Sequence, residues 1–367
     1  MSDMRNRRGR LQGSLNILCR LVTALALVLP AAAAHAIAQR TFVSPNGSDG
    51  NTASNCSLVL PCRSFGAAIT VTSTAGEIIV LDSAGYGAVN ITKSVAIISP
   101  PGIYAGVSVA AGDGITINTA GVIVSLKGLT INGQGGAIGV HFTQGSRLDI
   151  DGCTVENMAQ EGILVDGAGT ITISNSTIVG NSGIGIHINA GATATIAESL
   201  VESNAQTGIA IRAGANGTIE HTTVVKNGSN GISVHGVVSA TRVAIVSSVV
   251  TDNAADGIYA ETVAASLVSR LDVANTTVAR NNVNGIRLNT AGGGTVSAGI
   301  VSNQIAQNTG SGILVAGAGS TARVSWNAIF YNGTGFNATG GGQLFSPVTN
   351  YVRDNTSNGA ATGDALL

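Results

Sequence analysis

One phrase recurs down this chain: an aliphatic residue, two others, Asn, three others, Gly, Ile, one other, and a second aliphatic. It is complete at Val201, Asn204 and Gly208, at Val224, Asn227 and Gly231, at Val278, Asn281 and Gly285, and at Ile305, Asn308 and Gly312. The copy at Val250, Asn253 and Gly257 departs only in its last place, where Ala260 stands. Looser copies put their glycine at Gly114, Gly139, Gly162, Gly183 and Gly335. From Gly114 onward the intervals are 25, 23, 21, 25, 23, 26, 28, 27 and 23 residues. A unit this short cannot bury its own apolar face, so such units must stack on one another as a solenoid.

The apolar residues decide which solenoid. They alternate, as in "GILV" and "GISV", and a second alternating run precedes each phrase: "LDI" (148–150), "ITI" (171–173), "VAI" (243–245) and "LDV" (271–273). A period of two means strands. Helical repeats need helical spacing, and the L-x-x-L-x-L frame of leucine-rich repeats is missing. Fifty glycines against six prolines suit short strands joined by tight turns. Left-handed β-helices keep a hexapeptide rhythm that is absent here. The fold class expected is therefore all-β: a single-domain right-handed parallel β-helix of about ten coils of 21–28 residues.

Stacking explains the recurring letters. Coils repeat every ~4.8 Å, so equivalent residues form columns. Ile at Gly+1 and the aliphatic at Gly+3 should point inward. The glycine should sit at a bend where a Cβ would clash or φ must be positive. Asn204, Asn227, Asn253, Asn281 and Asn308 should form a structural ladder whose amides bond to the next coil's Asn or to turn backbone.

The ends carry different signals. Arg5, Arg7, Arg8 and Arg10, the apolar "LVTALALVLP" and the small residues of "AAAAHAIAQ" have the anatomy of a secretory signal peptide, 1–36 or 1–38. The Arg7–Arg8 pair is a weak sign of twin-arginine export. The expected location is outside the cytoplasm, periplasmic or extracellular, with no membrane span. Losing the leader leaves 13 of 18 basic and 18 of 19 acidic residues, a net charge near −5 with no basic stripe. That argues against nucleic acid as a partner. Cys56 and Cys62 are close enough to bridge in an exported protein, and Cys153 reads as a small core residue. "CRSFGAAITVTSTAG" reads as a short amphipathic helix in an N-terminal cap, 39–76, ahead of the β-helix proper, 77–337. The remainder, 338–367, reads as a degenerate last coil. Its final strand is either covered by "GGGQLFSPVTNY" or left as an edge for self-association.

With these coils and the opening stretch "RTFVSPNGSDGNTASNCSLVLPCRSFGAAITVTSTAGEIIVLDSAGYG", the chain resembles the secreted bacterial right-handed β-helix proteins, the pectate-lyase-like group. The resemblance covers nearly all of the chain after the leader. It implies the fold but not the activity, because lyases, hydrolases, epimerases and adhesins share it. The N-T-D, D-D, G-H-G and R-I-K set of the polygalacturonases and the D-P-H-D of the alginate epimerases are missing.

Outward positions carry the candidate site. The Gly+4 column reads Thr143, Asp166, His187, Arg212, His235, Glu261, Asn289 and Ala316. Beside it, Gly+2 offers Leu164, Ser233, Tyr259 and Arg287. Asp166, His187, Arg212, His235, Tyr259 and Glu261 are the candidate ligand-binding residues. Asp166 and Glu261, four coils apart, are ~19 Å from each other, too far for a glycosidase pair. The acids are separated by cations, which disfavours calcium. No metal or cofactor is implied. Trp326, Phe330 and Tyr331 read as packing in a terminal coil. The expected function is non-catalytic binding of an extracellular carbohydrate polymer along this column. Alternatives are a divergent polysaccharide lyase or glycoside hydrolase using His187, Arg212, His235 and Tyr259, and a structural adhesin-like stalk.

Overall fold

A computed structural model describes residues 38–237 and 239–362. The leader read from the sequence lies outside them, save for Ala38 in its longer form. The chain winds as a right-handed parallel β-helix of three sheets. Sheet 1 has 13 strands, from Ala38–Val43 to Gln343–Phe345. Sheet 2 has 12, from Ala84–Gly85 to Tyr351–Arg353, and sheet 3 has 12, from Val89–Ile91 to Ser357–Gly359. Each coil visits the sheets in that order, for example through Thr193–Ala197, Leu200–Glu202 and Ile209–Arg212. Among the described residues, no helix is long and apolar enough to cross a membrane.

Period-two alternation produces the interior. Ile209 and Ile211, Ile232 and Val234, and Ile286 and Leu288 occupy Gly+1 and Gly+3 of their coils, and all are fully buried. Parallel pairing in register aligns them into continuous apolar columns.

Two polar ladders close the turns. Between sheets 2 and 3, Asn204 donates its amide to Asn227 Oδ1 at 3.0 Å, and Asn227 donates likewise to Asn253 at 3.0 Å. The ladder continues through Asn281, Asn308 and Asn332. Each of these carboxamide oxygens also accepts a backbone N–H from the preceding coil, as Asn227 Oδ1 does from Asn204 at 3.1 Å. Between sheets 1 and 2 a second ladder links Ser176 to Ser199 and then runs from Thr222 through Ser248, Thr276 and Asn303 to Asn327. The residue just before each rung takes positive φ, as at Glu198 (49°) and Ser203 (54°). A single left-handed residue turns the corner, and the rung behind it satisfies backbone that the turn leaves unpaired.

The phrase glycine has one of the two reasons expected of it. At Gly231 a Cβ would stand 2.6 Å from Val250 Cγ1 and 2.7 Å from both Asn253 Nδ2 and Gly257 O. Close approach to the next coil excludes a side chain there; φ is not positive.

The ends differ from the expected boundaries. The ladder starts before residue 77: Ala38–Val43 is already a strand of sheet 1, pairing with Thr72–Val80. Between them, helix Phe65–Val71 buries Phe65, Ala68 and Ile69, with Ser64 capping it through Ala67 N. A Cys56–Cys62 disulfide ties the neighbouring loop, and Cys153 is free and buried. At the far end "GGGQLFSPVTNY" is not a lid. Its Gln343–Phe345 pairs with Ser320–Ser325, and all three sheets continue past residue 337. Nor is Trp326 packed away: it is 68 % exposed, and Tyr331 is 60 % exposed. Both occupy left-handed corner positions whose side chains point to solvent.

Candidate functional site

Pairing across sheet 3 fixes what faces out. Ile186 pairs with Ile163 and Ile209, so the phrase glycine of that coil is Gly185, not Gly183. The signal was in the sequence: Ile178, Asn181, Gly185, Ile186 and Ile188 fit the phrase completely. "GNSGIGI" offers two Gly-Ile pairs, and choosing the first shifts the frame by two residues. His187 therefore leaves the Gly+4 column for Gly+2, and Asn189 takes its place beside Asp166, donating to Asp166 Oδ1 at 3.0 Å.

Corrected, Gly+4 runs Asp166, Asn189, Arg212, His235, Glu261 and Asn289. His235 points outward between Arg212 and Glu261. The Gly+2 column runs His141, Leu164, His187, Ala210, Ser233, Tyr259 and Arg287. All six candidate residues thus share one face, in two adjacent columns.

A third column was missed, that of the residue just before each phrase glycine. It supplies Asp113, Glu161 and Asp256, each reaching a cationic or ring nitrogen at Gly+2 of the following coil. Asp113 Oδ2 lies 2.7 Å from His141 Nδ1, Glu161 Oε1 3.6 Å from His187 Nδ1, and Asp256 Oδ2 3.7 Å from Arg287 Nη1. Only the first is close enough for a hydrogen bond. His141 Nε2 is also 3.5 Å from Asp166 Oδ2. The sequence clue was an acid before the glycine paired with His or Arg two places after the next one.

The middle of the face is built differently. Ala210 and Ser233 point outward yet are buried, at 0 % and 1 % exposure. They are the smallest residues of their column, so the longer side chains around them close over the gap. Tyr259 forms one wall. Its ring meets His235 edge-on at 5.3 Å between centroids, and the Arg287 guanidinium lies 5.0 Å from it. Asn289 donates to Glu261 Oε1 at 2.8 Å and to Tyr259 Oη at 3.4 Å.

This covering leaves polar atoms unmatched. Among the described residues, eight buried side-chain nitrogens or oxygens have no hydrogen-bond partner, and seven are on this face. They are His141 Nε2, both ring nitrogens of His187, Arg212 Nε, Ser233 Oγ, His235 Nε2 and Arg287 Nε. Buried polar groups are nearly always paired, so their concentration on one face of one sheet sets that face apart from the other described surfaces. Burial and then the Arg212 cation push His187 below the usual imidazole range, against the pull of Glu161 and Asp166. The same two causes lower His235, against Glu261. Burial lowers Arg212 as well. Tyr259 is pushed up to about 12, by burial and then by Glu261. Near neutral pH the centre of the face is thus a guanidinium between two uncharged imidazoles, flanked by a neutral phenol. Such a set can bind an anion and can accept a proton. Among the described residues no three His, Cys, Asp or Glu side chains converge as a metal site.

Known proteins agree on the architecture. The family described as "Right handed beta helix region" matches residues 113–269. Pectate lyase Pel9A is similar in structure, with 15 % identity and a TM-score of 0.52 over 89 % of this chain and 80 % of that one. The A-module of Azotobacter vinelandii mannuronan C-5 epimerase AlgE6 gives 15 % identity and a TM-score of 0.60 over 87 % and 94 %. The corresponding module of AlgE4 gives 15 % and 0.51 over 76 % and 81 %. No curated protein matches the sequence. At this level of identity the likeness is one of fold: the chain is a right-handed parallel β-helix, the architecture these proteins share.

Proposed function

We propose that the outward face of sheet 3 binds an acidic carbohydrate polymer lying along the helix axis, with a carboxylate seated on Arg212. The observation that carries this reading is the clustering of seven unpartnered buried polar atoms on that face. A polymer rich in hydroxyls and carboxylates offers the acceptors that Arg212 Nε and Arg287 Nε lack, and the donors or acceptors that the imidazoles and Ser233 lack. Axial columns suit a linear ligand, because each coil adds one row of side chains every ~4.8 Å. The fold neighbours, named for pectate and mannuronan, make a polysaccharide the natural class.

The test is calorimetric titration of the wild type and Arg212→Ala with oligogalacturonate, oligomannuronate and a neutral dextran of equal length. Binding of an acidic oligomer that falls at least tenfold in Arg212→Ala supports the reading. Equal binding by both proteins, or preference for the neutral chain, overturns it.

One observation favours a second reading, turnover of the same polymer. His187 and His235 are held uncharged beside a cation, which suits a base taking the proton next to a carboxylate that the cation neutralises. New absorbance at 235 nm on incubation with the acidic oligomers, lost in His235→Ala and His187→Ala, would establish a lyase and replace the purely binding role.

A further inference from the structure

Sheet 1 has an outward face of its own, and part of it is hollow. A groove of about 650 Å³ crosses the strands Thr193–Ala197, Asn216–Glu220, Arg242–Val246 and Val268–Ala274. The polar side chains that line it are three threonines (Thr193, Thr195, Thr218), Asn216, two arginines (Arg242, Arg270) and one acid, Asp272. Its size falls within the range of small-molecule sites.

Arg242 and Arg270 are direct cross-strand partners. Like charges side by side in a sheet repel, and a column of this kind normally interposes an acid or a neutral residue. Neither guanidinium lies within 4.0 Å of a carboxylate among the described residues. An internal comparison shows that this is not for want of an acid. Arg147 sits in the same column and binds Asp149, two places along its own strand, at 2.8 Å. Arg270 has Asp272 at the same spacing, yet the two do not pair. Asp272 lines the groove as well, but its Oδ1 lies beside its partner in the following coil, 2.9 Å from where a Cβ on Gly299 would stand. On the opposite side of Asp272 stands Ala244, too small to obstruct the groove. After the leader the chain is net acidic, with 13 basic residues in all. Two adjacent cations that face one acid, Asp272, without pairing with it, beside a row of hydroxyls, are therefore a specific arrangement and not a by-product of a basic surface.

We propose that this groove is a second site, for an oxyanion carried on a hydroxylated chain: a uronate carboxylate or a sulfate ester. Arg242 and Arg270 take the oxyanion between them by charge-assisted hydrogen bonds. Thr193, Thr195, Thr218 and Asn216 take the flanking hydroxyls. The site stands on a different sheet from the face assigned above and does not depend on it.

The experiment uses the full mature chain carrying Arg212→Ala, so that the sheet 3 face cannot account for the signal. It is titrated with oligogalacturonate, with dextran sulfate oligomers and with neutral dextran oligomers. Either anionic oligomer binding in preference to neutral dextran, and weakened about tenfold or more by Arg242→Ala and by Arg270→Ala, supports the proposal; the tighter of the two names the oxyanion. Arg147→Ala serves as the control for general surface charge. A loss of the same size in Arg147→Ala, equal binding of neutral dextran, or no binding of either anionic oligomer overturns it. All three arginines are exposed, so unchanged far-UV circular dichroism and melting temperature are expected and are checked alongside.

Discussion

Removing one rung from the middle of the asparagine ladder should cost more than its size suggests. Asn253 is fully buried. It donates to Asn281 Oδ1 at 3.0 Å and to Val224 O at 3.3 Å, and it accepts from Asn227 N at 3.1 Å and from Asn227 Nδ2 at 3.0 Å. Asn253→Ala deletes all four bonds. Two donors on Asn227 lose their acceptor, and Val224 O loses a donor. Asn281 Oδ1 keeps the backbone N–H of residue 253. Three buried groups left short, at about 1–3 kcal/mol each, give about 3–6 kcal/mol once some water enters the space. Asn355 is the control, since it ends the ladder, is only half-buried, and its neighbours can turn to water. Asn355→Ala should cost about 1–2 kcal/mol. In a solenoid the damage stays near the lesion, so hydrogen exchange read by mass spectrometry is the right assay, beside urea unfolding. Peptides within 224–285 should lose protection in Asn253→Ala while those near Val107 and Ile131 keep it. Equal cost for the two substitutions, or an even loss of protection along the whole chain, would refute the ladder as the element that holds coil to coil.

Three further outcomes follow from the same geometry. Gly231→Ala drives a methyl into the Asn253 rung and should destabilise by about 3 kcal/mol or more, whereas Gly191→Ala, at φ +70° with open space around it, should cost about 1 kcal/mol; paired urea midpoints check this. His187 and His235 titrate below their unfolded value, so the stability they support is complete above about pH 6.5 and is lost as pH falls from there through their folded values. Double His187→Gln/His235→Gln should flatten that part of the stability–pH curve, and a parallel curve would show that other groups set it. The Cys153 thiol is buried and pushed up to about 11, so Ellman's reagent should leave it untouched in the native protein and titrate it in full in guanidinium.

How much could be read in advance depended on how many neighbours constrain a residue. Interior positions answer to a period of two and to stacking, which one strand of letters displays, so the coils, inward aliphatics and asparagine ladder were legible. The left-handed corners were not. Glu198, Lys226 and Arg280 occupy them, and nothing in those residue types announces positive φ; only their place before a buried rung does. His187 went into the wrong column because "GNSGIGI" satisfies the phrase in two frames, and only Asn181, four places before Gly185, separates them. The column of Asp113, Glu161 and Asp256 was missed because parity counts it as inward. In fact the chain is still rounding the bend before the glycine, and there alternation does not apply.

The division between inward and outward columns also says why the two proposed sites carry weight on so plain a scaffold. Every coil must satisfy the interior and the two ladders, and those demands are met almost without exception: of the eight unpartnered buried polar atoms among the described residues, none belongs to either ladder. Outward side chains on sheets 1 and 3 carry no such obligation. A chain of 10 % charged residues could have filled them with threonine and serine, as it does at Thr172, Thr195 and Thr218. Instead sheet 3 half-buries two imidazoles and a guanidinium with nitrogens that find no hydrogen-bond partner, and sheet 1 stacks Arg242 on Arg270. Each arrangement costs stability that a neutral residue would spare. If both are ligand sites, saturating either with its oligomer should raise the unfolding midpoint by mass action, and it should do so independently of the other. Losing the shift on sheet 3 with Arg212→Ala while keeping the one on sheet 1 would show two separate sites on one rod; losing both together would mean that a single surface had been counted twice.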